Sequence, residues 1–210
     1  MPLNSDLLAQ SVQVLYNNNS SNLHFHNWNH TLFVRKHALV FARELNADAH
    51  TTDIAALLHD LNYIVETNSS VKAGKELRQQ LLKEADYSKE IIESVERIIK
   101  EAQTRMRRKE ISQEAKALSD ADTLFKALPI TPILFAHRYL SENKISLAAL
   151  ATKIVEEQQP IYDAGFYFYT ESAKLRYLKW AGTNLSLWTN VIEFINSEIF
   201  EDHLLFDSEF

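Results

Sequence analysis

The sequence is poor in three residue types that cross-link or bend many proteins. Among 210 residues there is no cysteine, and there are only three glycines and four prolines. Without cysteine the chain has neither disulfides nor thiolate metal ligands, which suits a reducing compartment and leads us to expect a cytoplasmic protein. Strands joined by tight turns usually need more glycine and proline, so their scarcity favours an all-helical chain.

Positive charge and long apolar runs are also in short supply. The formal net charge is -6, so we expect no strong nucleic-acid binding through a broad basic surface. No window reaches the roughly 18 apolar residues that a bilayer span requires, and the N-terminus does not resemble a signal peptide, so we expect no membrane association. Apolar residues still make up 46% of the chain, which is enough for a real core.

The spacing of apolar residues indicates helices along nearly the whole chain. We expect an all-α fold, a single helical bundle over residues 1–210, and we expect the acidic residues 198–210 to form a terminal face or tail. Thr51 or Thr52 is the expected N-cap of the third helix, and Ser112 that of the helix at 111–127. The predicted helices span about 5–17, 27–46, 52–64, 70–85, 87–104, 111–127, 131–142, 146–159 and 171–200.

The segment IAALLHDL (54–61) places a histidine and an aspartate within an apolar helix. A helix without a polar face is buried, and a buried carboxylate is costly unless it is paired or bound to a metal. Adjacent side chains on a helix diverge by about 100°, so an ion in the wedge between His59 and Asp60 could take one bond from each. The dipeptide alone is weak evidence, and its buried setting gives it weight.

Two other segments direct polar side chains toward the interior. In HFHNWNH (24–30), His26 and His30 lie four residues apart, and His30 begins a helical apolar stripe. In EAKALSDADTLF (114–125), Asp122 interrupts an apolar stripe. Asp120 falls on another face of that helix, where we expect it to be solvated or to support the site.

Two imidazoles and two carboxylates therefore point inward from three predicted helices. They suit one divalent cation with open positions for water, such as Mn, Mg, Fe, Co, Ni or Zn. The alternative is a buried ion pair or polar network without a metal. The candidate ligands are His30, His59, Asp60 and Asp122.

The segments HNWNHTLFV, ALLHDLNYI and ALSDADTLF, in this order, resemble the HD-domain metal-dependent phosphohydrolase superfamily. The resemblance covers about residues 24–127, leaves about 128–210 as additional C-terminal helices, and implies that the four inward residues are the metal ligands. The HNxxH portion is also similar to a motif of cyclic-nucleotide phosphodiesterases, which implies that His26 donates a proton. A role for His26 beside the ligands, or as a helix-capping partner, stays open.

The chain departs from the family pattern at several positions. Relatives with two metals have further histidines between the His-Asp pair and the last aspartate, whereas this chain has no histidine from 61 to 136. We therefore expect one metal ion. Tyr63 stands where some relatives have a catalytic acid, and Phe25 replaces a tyrosine.

The resemblance implies hydrolysis of a phosphomonoester or phosphodiester, of a nucleotide or small phosphorylated metabolite, through a metal-activated water. The catalytic candidates are His26, Asp60 and Asp120. Lys72 and Lys75 follow the His-Asp helix and are candidates for substrate binding, with plain solvation as the alternative. A homodimer is compatible with the sequence.

Two other functions remain open. The tyrosine at 63 and the missing histidines favour a non-catalytic, metal-containing module that senses a ligand or binds a partner. Oxygenation by two irons is the third option, and the same missing histidines argue against it.

Overall fold

The computed structural model describes residues 3–107 and 109–197, and within them it contains helices but no strand. The all-α fold expected from the sequence is confirmed. The acidic segment 198–210 lies outside the described residues. The α-helices are α1 (Leu3–Asn18), α2 (Trp28–Glu44), α3 (Ala49–Leu58), α4 (Asn62–Val65), α5 (Lys75–Glu84), α6 (Lys89–Glu101), α7 (Gln113–Ala127), α8 (Ala136–Asn143), α9 (Leu147–Asp163) and α10 (Glu171–Ile195).

Polar caps decide where several helices begin. Asn27 accepts hydrogen bonds from the first turn of α2, and Ser112 caps α7 as predicted. The predicted start of α3 is wrong because Asp48, rather than Thr51 or Thr52, is its N-cap. The Asp48 carboxylate accepts a hydrogen bond from the backbone N–H of Thr51 at 2.9 Å, which satisfies a donor that the helix leaves free.

The predicted end of α3 is also wrong. The helix ends at Leu58, and the next backbone bonds join residues three apart, as in the 3.3 Å bond from the N–H of Leu61 to the carbonyl of Leu58. Such bonds tighten the chain into a 3₁₀-like turn. His59 and Asp60 therefore lie in a turn at the end of the helix and not in its middle.

The core surrounds α2, which packs against both α7 and α3, while α3 also packs against α6. α10 packs against α9 and α7 and so joins the C-terminal helices to this core. No helix among the described residues has the length and apolarity to cross a bilayer. The buried apolar side chains include Val34, Phe41, Leu57, Leu58, Leu82, Val95, Ile98, Leu118 and Leu124.

The α9–α10 pair approaches closely at a glycine. A Cβ at Gly182 would lie 2.5 Å from the Tyr162 hydroxyl, so a side chain there would displace the Tyr162 ring. α9 itself runs through Pro160 to Asp163, and the predicted end before Pro160 is wrong. A proline inside a helix removes one hydrogen bond, but the neighbouring Ile161 is buried in the core and stabilises this last turn.

Asp120 connects α7 to the loop that precedes α10. It is fully buried, and its carboxylate accepts hydrogen bonds from Arg107 Nη1 at 2.9 Å and from the backbone N–H groups of Tyr169 and Thr170 at 2.9 and 2.8 Å. The expectation that Asp120 is solvated is wrong. We call these hydrogen bonds from Arg107, Tyr169 and Thr170 the Asp120 clasp. They engage both carboxylate oxygens, so the structure gives no support to a catalytic role for Asp120.

We expect Asp120→Ala to lower the free energy of unfolding by about 3–5 kcal/mol, because it leaves the buried Arg107 guanidinium without its counter-charge. Urea denaturation of the full chain measures the change. Glu93→Ala is the control: its ion pair with Lys89 is exposed, so it should cost about 1 kcal/mol or less. Equally small losses in the two variants would contradict a structural role for the clasp.

Candidate metal centre

Four side chains from α2, α7 and the turn after α3 converge in the interior. The Asp60 Oδ2 lies 3.0 Å from His59 Nε2 and 3.2 Å from His30 Nε2. The Oδ1 of Asp122 lies 3.6 Å from the same nitrogen of His30. One ligand atom each from His30, His59 and Asp122 falls within 4.8 Å of the others, so these residues could hold a metal ion.

Local structure explains how each side chain reaches this point. His30 lies in the first turn of α2, where the Asn27 cap accepts a hydrogen bond from its N–H at 3.2 Å. Asp122 follows Leu118 by one turn of α7 and is half-buried, because its carboxylate faces both His30 and the cavity. Asp60 lies in the tight turn after α3, and from there its Oδ2 reaches the Nε2 atoms of both His59 and His30.

Several polar atoms of this cluster lack a partner. Among the described residues, His30 Nε2, His59 Nε2 and Asp60 Oδ2 are buried and make no hydrogen bond of good geometry. The Nδ1 of His59 donates to the carbonyl of Ala56 at 2.8 Å, so the lone pair of Nε2 faces the cluster. Buried polar atoms without partners cost about 1–3 kcal/mol each, and a divalent cation would satisfy all of them together. The residues therefore fit a metal ion.

The carboxylates control the protonation of the cluster. Burial alone would lower the pKa of His30, but its close contacts with the Asp122 and Asp60 carboxylates raise it to about 9. Burial likewise opposes ionisation of Asp60, yet the neighbouring His59 and His30 hold its pKa well below the ordinary value. Without a cation, the cluster holds a proton on His30 at neutral pH.

Lys126 occupies the other side of Asp122. Its Nζ lies 2.7 Å from Asp122 Oδ2, one helical turn along α7. Burial works against the charge of this lysine, but Asp122 raises its pKa, so Lys126 is an ammonium ion. The two oxygens of Asp122 therefore have separate partners, with Oδ1 facing His30 and Oδ2 facing Lys126.

A cavity of about 530 Å³ opens onto the cluster. Two of the inward carboxylates, Asp60 and Asp122, line it together with His26. The cations of the lining are Arg105, Lys126 and Lys153, and Lys153 forms an ion pair at 2.8 Å with Glu157, which also lines the cavity. A polar part of the wall comes from the loops at 68–70 and 103–105. The apolar part comes from Phe25, Tyr139, Leu150, Ile154, Leu185 and Trp188.

The two lysines expected to bind substrate lie elsewhere. Lys72 and Lys75 are exposed at the start of α5, and neither lines the cavity. The lysines that line the cavity are Lys126 and Lys153. Lys126 could have been found in the sequence, because it follows Asp122 by one helical turn, whereas nothing in the sequence connects Lys153 with the motifs.

His26 lies beside the cluster and lines the cavity. Its Nδ1 is bonded to the Glu142 carboxylate of α8, and its ring stacks on that of Tyr63 with 3.5 Å between centroids. Sequence reasoning missed Glu142, because 116 residues separate it from His26 and no motif surrounds it.

The comparisons with known proteins agree with this arrangement. Residues 27–126 match the family model of the HD domain. The resemblance of the three segments to the HD domain is therefore confirmed over residues 27–126. No curated protein matches the chain.

Solved structures share the fold over nearly the full chain. A Lactobacillus plantarum protein is 17% identical, with 93% of this chain and 98% of that one covered and a TM-score of 0.65. The Lin1889 protein of Listeria innocua is 21% identical, with 97% and 99% covered and a TM-score of 0.55. A predicted HD superfamily hydrolase from an uncultured Thermotogales bacterium is 21% identical, with 90% and 88% covered and a TM-score of 0.49. The first two likenesses show that the C-terminal helices belong to a shared fold.

The metal content of variants tests the cluster. We expect about one divalent ion per chain, and we expect His30→Ala to lose most of it because two carboxylates then lack their imidazole. Elemental analysis of dialysed protein measures the ratio. His37→Ala on the same helix, whose ring packs against Phe33, should keep the metal, and equal metal in both variants would refute the centre.

Proton release gives a second test. Because the carboxylates raise the pKa of His30 to about 9 in the metal-free protein, a cation must displace a proton there at neutral pH. We expect metal affinity to rise between pH 6 and about pH 9 and then to level off. Titration calorimetry at pH 7 in buffers of different ionisation enthalpy counts the released protons, and a count of zero would contradict the raised pKa.

Proposed function

We propose that the protein is a phosphohydrolase that uses one divalent metal ion to hydrolyse a phosphomonoester or phosphodiester of a nucleotide or small phosphorylated metabolite. The observation that carries the proposal is the convergence of unpartnered, buried ligand atoms beside a cavity that also contains ammonium groups. His30, His59, Asp60 and Asp122 would hold the ion.

A bound divalent cation lowers the pKa of a coordinated water and polarises a phosphoryl oxygen. The protein's own side chains supply the remaining tasks. The ammonium groups of Lys126 and Lys153 line the cavity and attract the anionic substrate. Lys126 also keeps Asp122 ionised and oriented, since it occupies the oxygen that faces away from His30.

His26 is the group positioned to protonate the leaving oxygen. The oxygen of a water molecule forms a bond to phosphorus, and the bond between phosphorus and the leaving oxygen breaks. The leaving oxygen keeps the electron pair of that bond and takes the Nε2 proton of the doubly protonated His26 ring, which becomes the neutral ring with its hydrogen on Nδ1. The proton that the attacking water gives up to solvent balances the one that His26 regains.

The cavity supports a small substrate. Its volume of about 530 Å³ lies within the range of small-molecule sites, about 300–1,000 Å³. The apolar wall that contains Leu185 and Trp188 suits a nucleobase or another apolar group attached to the phosphate. The cytoplasmic location and a homodimer remain predictions from the sequence.

One observation favours a second candidate, a metal-containing module that senses a ligand without catalysis. Tyr63 takes the place of an acidic group, and burial raises its pKa above the ordinary value for tyrosine. The phenol therefore stays protonated and cannot serve as a general base. A sensing module would keep the metal and the cavity but would turn over no phosphate ester.

We expect the metal-loaded protein to hydrolyse members of a panel of phosphomonoesters, nucleotides and cyclic nucleotides, and His59→Ala to abolish the activity. Lys126→Met should lower kcat/KM by about tenfold or more, because a cation at the phosphoryl group is lost. Phosphate release measures both. Lys72→Met, an exposed lysine outside the cavity, should leave the rate unchanged. If the wild type hydrolyses no member of the panel, the result would favour the sensing module.

A further inference from the structure

Glu142 is the buried charge by which α8 contacts the opening histidine motif. Its side chain is fully buried, and its Oε2 accepts hydrogen bonds from the backbone N–H groups of Phe25 at 2.7 Å and His26 at 3.1 Å. Its Oε1 is bonded to Nδ1 of the His26 ring. Both oxygens of one carboxylate therefore hold a single short segment, and one of them also contacts the imidazole.

The Oε1 contact determines which nitrogen of His26 faces the cavity. Burial favours the neutral acid, but the hydrogen bonds from His26 and the backbone lower the pKa of Glu142, so it is a carboxylate at neutral pH. A carboxylate only accepts hydrogen bonds, so Nδ1 of His26 carries a hydrogen. The nitrogen left for the cavity that His26 lines is Nε2.

Tyr63 holds the same ring on its face. The two rings are nearly parallel, with 8° between their planes and 3.5 Å between their centroids. The carboxylate restrains the ring within its plane, and the phenol restrains the plane itself. Both rotation of the imidazole and exchange of its tautomer are thereby opposed.

We propose that Glu142 is a positioning residue that holds His26 with Nδ1 protonated and Nε2 directed at the leaving oxygen. The catalytic part of this inference rests on the proposed hydrolysis. It assigns a function to the helices after the HD domain, because the proton donor is set in place by a residue that lies outside the matched range 27–126.

A purely structural role is the competing explanation. The two backbone contacts of Oε2 would suffice to fasten residues 25–26 to α8. A positioning role differs from a structural one in the contact between Oε1 and the His26 ring. The decisive measurements must therefore report on the imidazole and not only on stability. Glu142→Gln keeps the shape and removes the charge. Glu156→Gln removes the same charge from an exposed site on α9 and is the matched control.

The first experiment needs no activity. Long-range ¹H–¹⁵N NMR of the metal-free full chain identifies the histidine ring signals, and the signal missing from His26→Gln is that of His26. At a pH where the ring carries a single hydrogen, we expect that hydrogen on Nδ1 in the wild type and in Glu156→Gln, and a shift toward Nε2 in Glu142→Gln. An unchanged His26 signal in Glu142→Gln would overturn the positioning role.

The second experiment varies the leaving group. An alkyl phosphate needs a proton on its leaving oxygen, whereas a nitrophenyl phosphate does not. We expect Glu142→Gln to lower kcat for the alkyl ester by about 10–100-fold, the range for a partner that orients a catalytic side chain, with KM nearly unchanged. The loss for the nitrophenyl ester should be within about threefold, and adding His26→Gln should cause little further loss. Equal losses for both esters would show a structural role and overturn the proposal.

The two experiments separate the possible failures. If the wild type hydrolyses no ester, the proposed function fails, and the NMR result still decides whether Glu142 sets the tautomer. Thermal unfolding checks that Glu142→Gln is folded. If it is not folded, Glu142→Asp replaces it, because aspartate keeps the charge on a shorter side chain. We expect Glu142→Asp to lower kcat for the alkyl ester more than for the nitrophenyl ester, though less than Glu142→Gln would. An equal decrease for the two esters would refute the positioning role.

Discussion

The constraint on which the site depends is the burial of the imidazole Nε2 atoms of His30 and His59 and of the Asp60 Oδ2, which have no hydrogen-bond partner among the described residues. Each such atom is unfavourable alone, and helices free to move would separate them. The apolar packing of α2 against α3 and α7 holds them together. Within this packing His30 Nε2 and Asp60 Oδ2 lie 3.2 Å apart. The same confinement makes the group a ready site for a cation.

The charged side chains next to the His30–His59–Asp60 cluster alternate in sign. Asp122 faces His30 with one oxygen and Lys126 with the other, so one carboxylate links the cluster to the positive part of the cavity. Asp120, two residues earlier on the same helix, points away and binds Arg107. One short segment of α7 thus serves the site on one face and the attachment of the C-terminal loop on another.

Particular residues show how far sequence reasoning reached. The inward direction of Asp122 followed from its place in an apolar stripe, since helical periodicity is a local property. The partner of Asp120 could not be read in this way, because Arg107 and the loop at 169–170 reach it only after the chain has folded. The end of α3 was misjudged for a related reason. The apolar pattern continues past Leu58, while the tight turn is stabilised by what His59 and Asp60 meet across the core.

The sequence by itself determined the helical class and supplied the candidate metal ligands, because composition, periodicity and side-chain chemistry are properties of neighbouring positions. Only the tertiary structure decided which cations line the cavity and what holds His26. Lys153 and Glu142 lie on helices far along the chain from the motifs, and their contacts depend on how α8, α9 and α10 pack against the HD domain. Contacts between distant positions leave no local pattern, and it is the packing of the core that creates them.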